Sequence, residues 1–235
     1  MRKSPALILF DIDGTLLRGA GGHHKQALIE GIRQVTGLET HLNGVSTSGM
    51  LDRDLIVHML SVAGDSHGQT QDSLRDIVAA CQSAYLANCA PDLSSAVCPG
   101  VRELLGELRQ RGAALGLVTG NLSAIGWKKM DQAGLREYFS VGAFAEDGTT
   151  RARLAGVARQ RAIEAALIDE HARISLIGDH MNDVEAAKAN GFTAIAVASG
   201  LTPAEALAES KPDILIHSLK ELLEGRFDLG VLGVA

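Results

Sequence analysis

Aromatic side chains make up only 3% of the 235 residues, with one Trp, two Tyr and five Phe. A core built from this chain must therefore be aliphatic. Cysteine is nearly as scarce. Cys81, Cys89 and Cys98 are odd in number, and no two are separated by only two residues. That spacing argues against a disulfide framework and against a thiolate zinc site. Reduced, mostly buried thiols of a cytoplasmic protein are the expectation. Basic runs of five or more residues are absent and the formal charge is −6, so bulk charge gives no hold on nucleic acid or an anionic membrane. No apolar stretch approaches the roughly 18–20 residues that span a bilayer. The opening Met1-Arg2-Lys3-Ser4-Pro5 mimics a signal peptide. Its apolar run, 6–10, is shorter than the roughly 7–15 residues of an h-region and stops at Asp11. It reads as a first strand.

What is present is an apolar content of 46%, ordinary for a folded globular chain. The length suits one large domain, or a domain carrying a smaller insert. Short aliphatic runs at 6–10, 113–118, 174–177, 193–198 and 213–216 lack alternation, with 141–144 a weaker candidate. Such runs suit strands buried on both faces of a parallel sheet. Helical patterns lie between them at 101–111, 159–168, 182–190 and 203–209, and Trp127 falls in a further helix after the second strand. The alternation predicts an α/β fold with a doubly wound parallel sheet. The interval from about 17 to 97 offers no convincing buried strand. Its helical candidates are 24–36, 52–62 and 72–88, so a helical insert over 18–95 is expected inside a core of 1–17 and 96–235. Gly14, Gly19, Gly21 and Gly22 make its entry flexible, and Pro91 with Pro99-Gly100 marks its exit.

Polar residues gather where these strands end. The first run leads into Asp11-Ile12-Asp13-Gly14-Thr15, the second into Thr119-Gly120-Asn121, and the third into Gly178-Asp179 with Asp183 beyond. Residues 141–144 lead into Glu146-Asp147 and then Arg151. Ligands of open α/β sheets bind outside the carboxyl ends of the strands, so these clusters can converge. Asp11 and Asp13 are two apart and face the same way along an extended segment. Asp179 and Asp183 share a face if a helix starts between them. Four carboxylates in one pocket repel unless a cation joins them, and Mg²⁺ is the hard oxygen-seeking ion that fits best. A calcium EF-hand loop fails, because Leu16 and Gly22 stand where its Gly and Glu belong.

These motifs resemble those of the haloacid dehalogenase superfamily. Asp11-Ile12-Asp13-Gly14-Thr15 matches DxDGT, Leu117-Val118-Thr119 an aliphatic run ending in Thr, and Gly178-Asp179-His180-Met181-Asn182-Asp183 the GDxxxD pattern. The helical insert is similar to the all-helical caps of that superfamily, and the resemblance covers essentially the whole chain. The third motif departs from it. A Lys is usual there, but none stands between Lys129 and Lys188, and Arg151-Ala152-Arg153-Leu154 resembles the Arg variant of phosphoglycolate-phosphatase-like members. Arg151, just ahead of a helix, is favoured over Arg153.

The resemblance implies a Mg²⁺-dependent phosphatase acting on a small phosphorylated metabolite. Asp11 would attack phosphorus and become an aspartyl-phosphate, and Asp13 would protonate the leaving alcohol and then deprotonate water. Thr119 and the Arg would hold the phosphoryl oxygens. Mg²⁺ would bind the Asp11 side chain, the Asp13 backbone carbonyl and Asp179, with Asp183 in support. Gly120, Asn121, Arg53 and Arg153 are the expected substrate contacts. Asp13 favours phosphate ester hydrolysis, because dehalogenase members lack an acid there. A phosphosugar mutase or other phosphotransferase of the same superfamily is the alternative. A non-catalytic phospho-accepting or regulatory binding protein is an alternative from another class. Arg53, within Gly49-Met50-Leu51-Asp52-Arg53, binds the leaving group or pairs with a neighbouring acid. His23 and His24 are surface residues or anion contacts. His180 lines the pocket and Trp127 packs. Gly19 to Gly22 form the hinge of cap closure. A monomer or homodimer is expected.

Overall fold

The aliphatic runs become strands because nothing in them needs water. In a computed structural model that describes residues 3–45, 47–64, 71–224 and 232–233, β1 (Ser4–Phe10), β2 (Ala114–Val118), β3 (Val141–Ala143), β4 (Ile168–Gly178), β5 (Thr193–Val197) and β6 (Ile214–Ile216) form one sheet. The spatial order is β3-β2-β1-β4-β5-β6 and every pair is parallel. The fold is the expected doubly wound α/β sheet. β1 is central, with Leu9 opposite Gly116 on one side and Leu176 on the other. The order reverses there, since β2 and β3 build outward on one flank and β4 to β6 on the other. That reversal opens a crevice at the carboxyl ends of β1 and β4.

Both faces of β1 are covered, which is why its sequence does not alternate. Leu7 and Leu9 join one apolar cluster with Leu154, Ala155 and Val184. Ala6, Ile8 and Phe10 join another with Val101, Leu104, Leu105 and Leu108.

Between β1 and residue 96 the described residues contribute helices but no strand to the sheet: α1 (Gly21–Thr36), α2 (Asp52–Val62) and α3 (Gln71–Asn88). Leu28, Ile32, Ile56, Met59, Ile77 and Tyr85 pack these three together. The two crossings between insert and sheet run side by side. Arg18 N donates to Ala96 O at 2.8 Å, and Cys98 N to Leu16 O at 2.9 Å. After them come α4 (Val101–Gln110), α5 (Ser123–Gln132), α6 (Arg151–Glu164), α7 (Met181–Ala189) and α8 (Ala204–Glu209).

Three expectations need correction. The helix expected at 159–168 starts at Arg151 and ends at Glu164, while Ile168 opens β4. The side chain of Thr150 caps that helix by accepting from Arg153 N at 3.2 Å. Small residues such as Ala152, Ala155 and Gly156 in its first turns carry no apolar periodicity. β4 starts well before residue 174 because its first half is largely exposed and therefore polar. Gly21 and Gly22 open α1 rather than forming a hinge, and of that stretch only Gly19 has a positive φ, +78°.

The insert depends on close packing of α1 against α3. A Cβ at Gly31 would collide with the backbone and Sγ of Cys81. Gly31→Ala should therefore cost about 1–3 kcal/mol through overpacking. Thermal unfolding reads this as a lower Tm with unchanged circular dichroism at 20 °C. An unchanged or higher Tm would show that the helices do not meet this closely.

Candidate active site

β1 stops at Phe10, but the Asp11 amide still joins the ladder, donating to Ile177 O at 3.0 Å. The chain then turns at Gly14, where φ is +95° and a Cβ would strike the Asp179 carboxylate. Only glycine meets both demands. On the neighbouring strand, β4 ends at Gly178 and Asp179 follows. Asp183 lies in the first turn of α7, where its Oδ2 accepts from His180 N at 3.2 Å. A carboxylate is favoured at that helix start.

These turns bring the carboxylates of Asp11, Asp179 and Asp183 within 4.8 Å of one another, all three buried. Arg151, the first residue of α6, is buried against them. Its Nη1 donates to Asp11 Oδ1 at 3.0 Å, and its Nε lies 3.3 Å from Asp183 Oδ1. That second pair is poorly aligned, and neither atom has a hydrogen-bond partner among the described residues. One guanidinium cannot balance three buried acids. Burial, with Asp183 and Asp13 nearby, outweighs the pull of Arg151 and pushes Asp11 up to about 7. Asp179 is pushed up to about 8 by burial and then by Asp11 and Asp183. Burial also raises Asp183, against the pull of Arg151. Two further positive charges would neutralise the group, and the donors are oxygens alone. The set therefore fits a hard divalent cation.

Asp13 lines the same cavity but belongs to a different group. Its side chain is 39% exposed and meets the ammonium of Lys129 at 2.8 and 2.6 Å, while Asn121 Nδ2 donates to it at 2.8 Å. Burial alone would raise its pKa, but Lys129 outweighs burial and holds the carboxyl below its ordinary value. Thr119 continues the ladder of β2, its amide donating to Ala143 O at 3.1 Å. Its hydroxyl oxygen accepts from Asn121 Nδ2 at 2.7 Å, which leaves the hydroxyl proton to donate.

The cavity holds about 320 Å³ and is lined by Asp11, Asp13, Thr119, Gly120, Asn121, Arg151 and Asp179 among others. The insert roofs it with residues 47–50. A Cβ at Gly120 would meet Met50 O, and one at Gly49 would meet the His180 ring. Asn182 Nδ2 donates to Gly49 O at 2.9 Å. His180 lines the cavity, as expected.

Other sequence candidates lie elsewhere. Arg153 is exposed, its stem packed over Gly148. Arg53 is half-buried beside Asp54 and is not among the residues lining the cavity. Glu146 and Asp147 turn away from it. Glu146 accepts from Ser123 N at the start of α5, and Asp147 pairs with Arg161 at 2.6 Å. A tight turn at Ala145–Asp147 aims both acids at helices instead of the pocket. His23 is exposed, but His24 is neither solvated nor free: it touches Asp52 at 2.8 Å and Lys129 at 3.2 Å. Trp127 packs on Phe144 with centroids 5.2 Å apart and under the Arg136 guanidinium.

Sequence reasoning passed over Lys129 and Asp52. One signal existed for Lys129: it stands four residues after Ile125 and next to Met130, on the buried face of α5. A cation at a core-facing position needs a partner.

Against known proteins, residues 5–191 match the family model described as haloacid dehalogenase-like hydrolase. A phosphoglycolate phosphatase from Vibrio parahaemolyticus is 29% identical over 234 residues, covering 93% of this chain and 94% of its own. The crystal structure of a predicted phosphoglycolate phosphatase from Haemophilus somnus superposes with a TM-score of 0.66 at 20% identity, over 94% of this chain and 98% of that one. A β-phosphoglucomutase from Clostridium difficile reaches 0.68 at 15% identity, over 92% of each chain. At such identities the two structures speak for the fold alone. The match to the family model spans most of the chain and takes in DxDGT, the Thr119 strand end, Arg151 and GDxxxD, so the chain belongs to the haloacid dehalogenase-like hydrolases, on the branch it shares with phosphoglycolate phosphatases.

Proposed function

We propose that the chain is a Mg²⁺-dependent phosphatase that hydrolyses a small phosphorylated metabolite through an aspartyl-phosphate on Asp11. The observation that carries this reading is the placement of Asp11: at the end of the central strand, on the cavity wall, touching Arg151 and grouped with Asp179 and Asp183. Phosphoglycolate is the first substrate to test, because the curated relatives carry that activity in their names. A cavity of about 320 Å³ suits a compact ester. Free thiols at all three cysteines fit a cytoplasmic enzyme.

In this reading Asp11, Asp179 and the Asp13 backbone carbonyl would hold the Mg²⁺, with Asp183 in support. The ion supplies charge neutralisation for the phosphoryl oxygens when bound. Asp11 attacks phosphorus, the bond to the leaving oxygen breaks, and an acyl-phosphate forms. Arg151 and the Thr119 hydroxyl hold the equatorial oxygens as charge redistributes. Asp13 rests ionised beside Lys129. It takes up the proton of the substrate's phosphate monoanion and passes it to the leaving alkoxide. Ionised again, it withdraws a proton from the water that attacks the acyl-phosphate, which restores Asp11, and then passes that proton to the departing phosphate, which restores its own carboxylate.

Phosphate release from 2-phosphoglycolate, sugar phosphates, nucleotides and p-nitrophenyl phosphate tests the reading. Asp11→Asn should reduce turnover by about 10³-fold or more, the usual scale for loss of a nucleophile, with no loss of Tm. Substantial turnover in that variant would refute the nucleophile. Conversion of one sugar phosphate isomer to another without phosphate release would assign a mutase instead.

The acidic group also predicts a pH and metal dependence of stability. Its carboxyls have raised pKa values in the fold, whereas unfolded carboxyls ionise near pH 4. The metal-free fold therefore holds more protons than the unfolded chain between those limits. Its stability contribution is complete below about pH 4 and is lost as pH rises through about 7 and 8, the folded values for Asp11 and Asp179. His180, whose pKa burial lowers, opposes this near neutrality. Metal-free protein should lose Tm between pH 5 and 8, on the order of 5–10 °C if the group costs a few kcal/mol. Millimolar Mg²⁺ should recover most of that loss at the alkaline end. Asp179→Asn should raise the metal-free Tm at pH 8 and blunt the Mg²⁺ response. A wild-type Tm that ignores Mg²⁺ at pH 8 would count against the site.

A further inference from the structure

Lys129 is a fully buried cation on α5, and its ammonium has three kinds of partner. Two belong to the sheet domain: both carboxylate oxygens of Asp13, at 2.8 and 2.6 Å, and Asn121 Oδ1 at 2.7 Å. The third belongs to the insert, His24 Nδ1 on α1 at 3.2 Å. An ammonium only donates, so His24 Nδ1 accepts and the ring proton sits on Nε2. Nε2 then donates to Asp52 Oδ2 on α2 at 2.8 Å. The same Asp52 oxygen accepts from Leu122 N at 2.7 Å, just ahead of α5. A closed path thus runs from Asp13 through Lys129, His24 and Asp52 back to α5. It enters the insert and returns.

We infer that Lys129 is a positioning residue that fixes the Asp13 carboxylate, and that the insert's His24–Asp52 pair completes its coordination, so that Asp13 is correctly aimed only when the insert is seated on the core. The inference rests on the phosphatase reading and on Asp13 as its proton carrier. Three features carry it. A Lys ammonium offers three donors, and Asp13, Asn121 and His24 between them account for all of its directions. Asp13 is the most exposed member of the path and lines the cavity with His24 and Asp52, while Lys129 is fully buried, so the path reaches the place where the leaving oxygen would lie. The path crosses between insert and core at two hydrogen bonds, His24–Lys129 and Asp52–Leu122, so displacement of α1 and α2 breaks both at once.

Proton delivery matters in proportion to the basicity of the leaving group, which separates positioning from general damage. An alkyl phosphate expels an alkoxide that needs a proton, whereas p-nitrophenolate leaves without one. kcat/KM reports the enzyme up to the first irreversible step, here phosphoryl transfer to Asp11. Lys129→Met should lower kcat/KM for 2-phosphoglycolate, or for the alkyl phosphate that heads the panel, by about 100-fold. For p-nitrophenyl phosphate it should change kcat/KM by less than about 3-fold while lowering kcat and KM together, as water attack on the acyl-phosphate becomes limiting. His24→Ala and Asp52→Asn should show the same selectivity, about 5–10-fold on the alkyl ester. The double variant Lys129→Met/His24→Ala should be no worse than Lys129→Met, because both act through one path. If Lys129→Met does not fold, the His24 and Asp52 variants decide the matter alone. Equal losses on both esters, or no loss on either, would overturn the inference. The unaltered protein and Asp11→Asn measured in parallel keep the two readings apart: no phosphate release from any ester by the unaltered protein defeats the phosphatase assignment, turnover by Asp11→Asn defeats the nucleophile, and an active protein with a dead Asp11→Asn but unselective Lys129 and His24 variants defeats only the positioning role.

Discussion

Like charges brought together out of water set the terms for this molecule. Asp11, Asp179 and Asp183 come from strand and helix ends far apart in the chain, yet their carboxylates crowd within 4.8 Å. In a medium less polar than water such repulsion is strong, and Arg151 supplies one positive charge against three negative ones. The fold does not relax the conflict by moving the acids apart. Gly14 and Gly200 both lie against Asp179 where no side chain would fit, so the backbone closes round the carboxylate. A protein optimised for stability alone would not retain such a cluster. Its persistence is intelligible if a divalent ion completes the charge pattern.

The sheet makes this possible because its strands are parallel and β1, β2, β4 and β5 are buried at the carboxyl ends that carry the site. Parallel pairing points every carboxyl end the same way. The reversal of strand order beside β1 then leaves room above Asp11 and Asp179 that no crossover helix fills. Leu7 and Leu9 on one face and Ile8 and Phe10 on the other hold β1 rigidly in place. Precision in the site is therefore borrowed from aliphatic packing several residues away. Few rings are needed for this, which is consistent with a chain so poor in aromatics.

Much of this was legible in the sequence, and what was not has physical reasons. Strands buried on both faces betray themselves as unbroken aliphatic runs, so β1, β2 and β5 stood out. The first half of β4 did not, since residues beyond the covered part of the sheet are free to be polar. Asp11 and Asp13 were legible because the DxD spacing is local. Both do line one cavity, but the spacing does not reveal that Asp13 is held there by Lys129 and stands apart from the acids around Asp11. The partners of His24 were not legible at all. Its contact with Lys129 spans 105 residues and that with Asp52 spans 28, and no local pattern encodes such a meeting. Arg53 was proposed for the pocket from a motif, whereas Asp52 beside it is the residue that reaches the core.

The way the insert docks explains why it can be both specific and reversible. The first amides of a helix have no partners within it. At the start of α5 those of Leu122, Ser123 and Ala124 are taken in turn by Asp52, Glu146 and Gln82. Asp52 and Gln82 come from the insert, so two of the three acceptors are lent by it. Hydrogen bonds of this kind, one of them to a carboxylate, are worth about 1–3 kcal/mol each. Were the insert to lift, water could reach the same amides, and no buried group there would be stranded. The exception is Lys129, which would keep Asp13 and Asn121 but lose His24. The polar contacts of the docking surface are thus readily rehydrated except at the Lys129 ammonium beside Asp13, while Leu51 and Leu55 of the insert stay packed in one apolar cluster with Leu122 and Ile125. That asymmetry is what one expects of a contact that selects for the seated insert at the moment of chemistry and releases it afterwards.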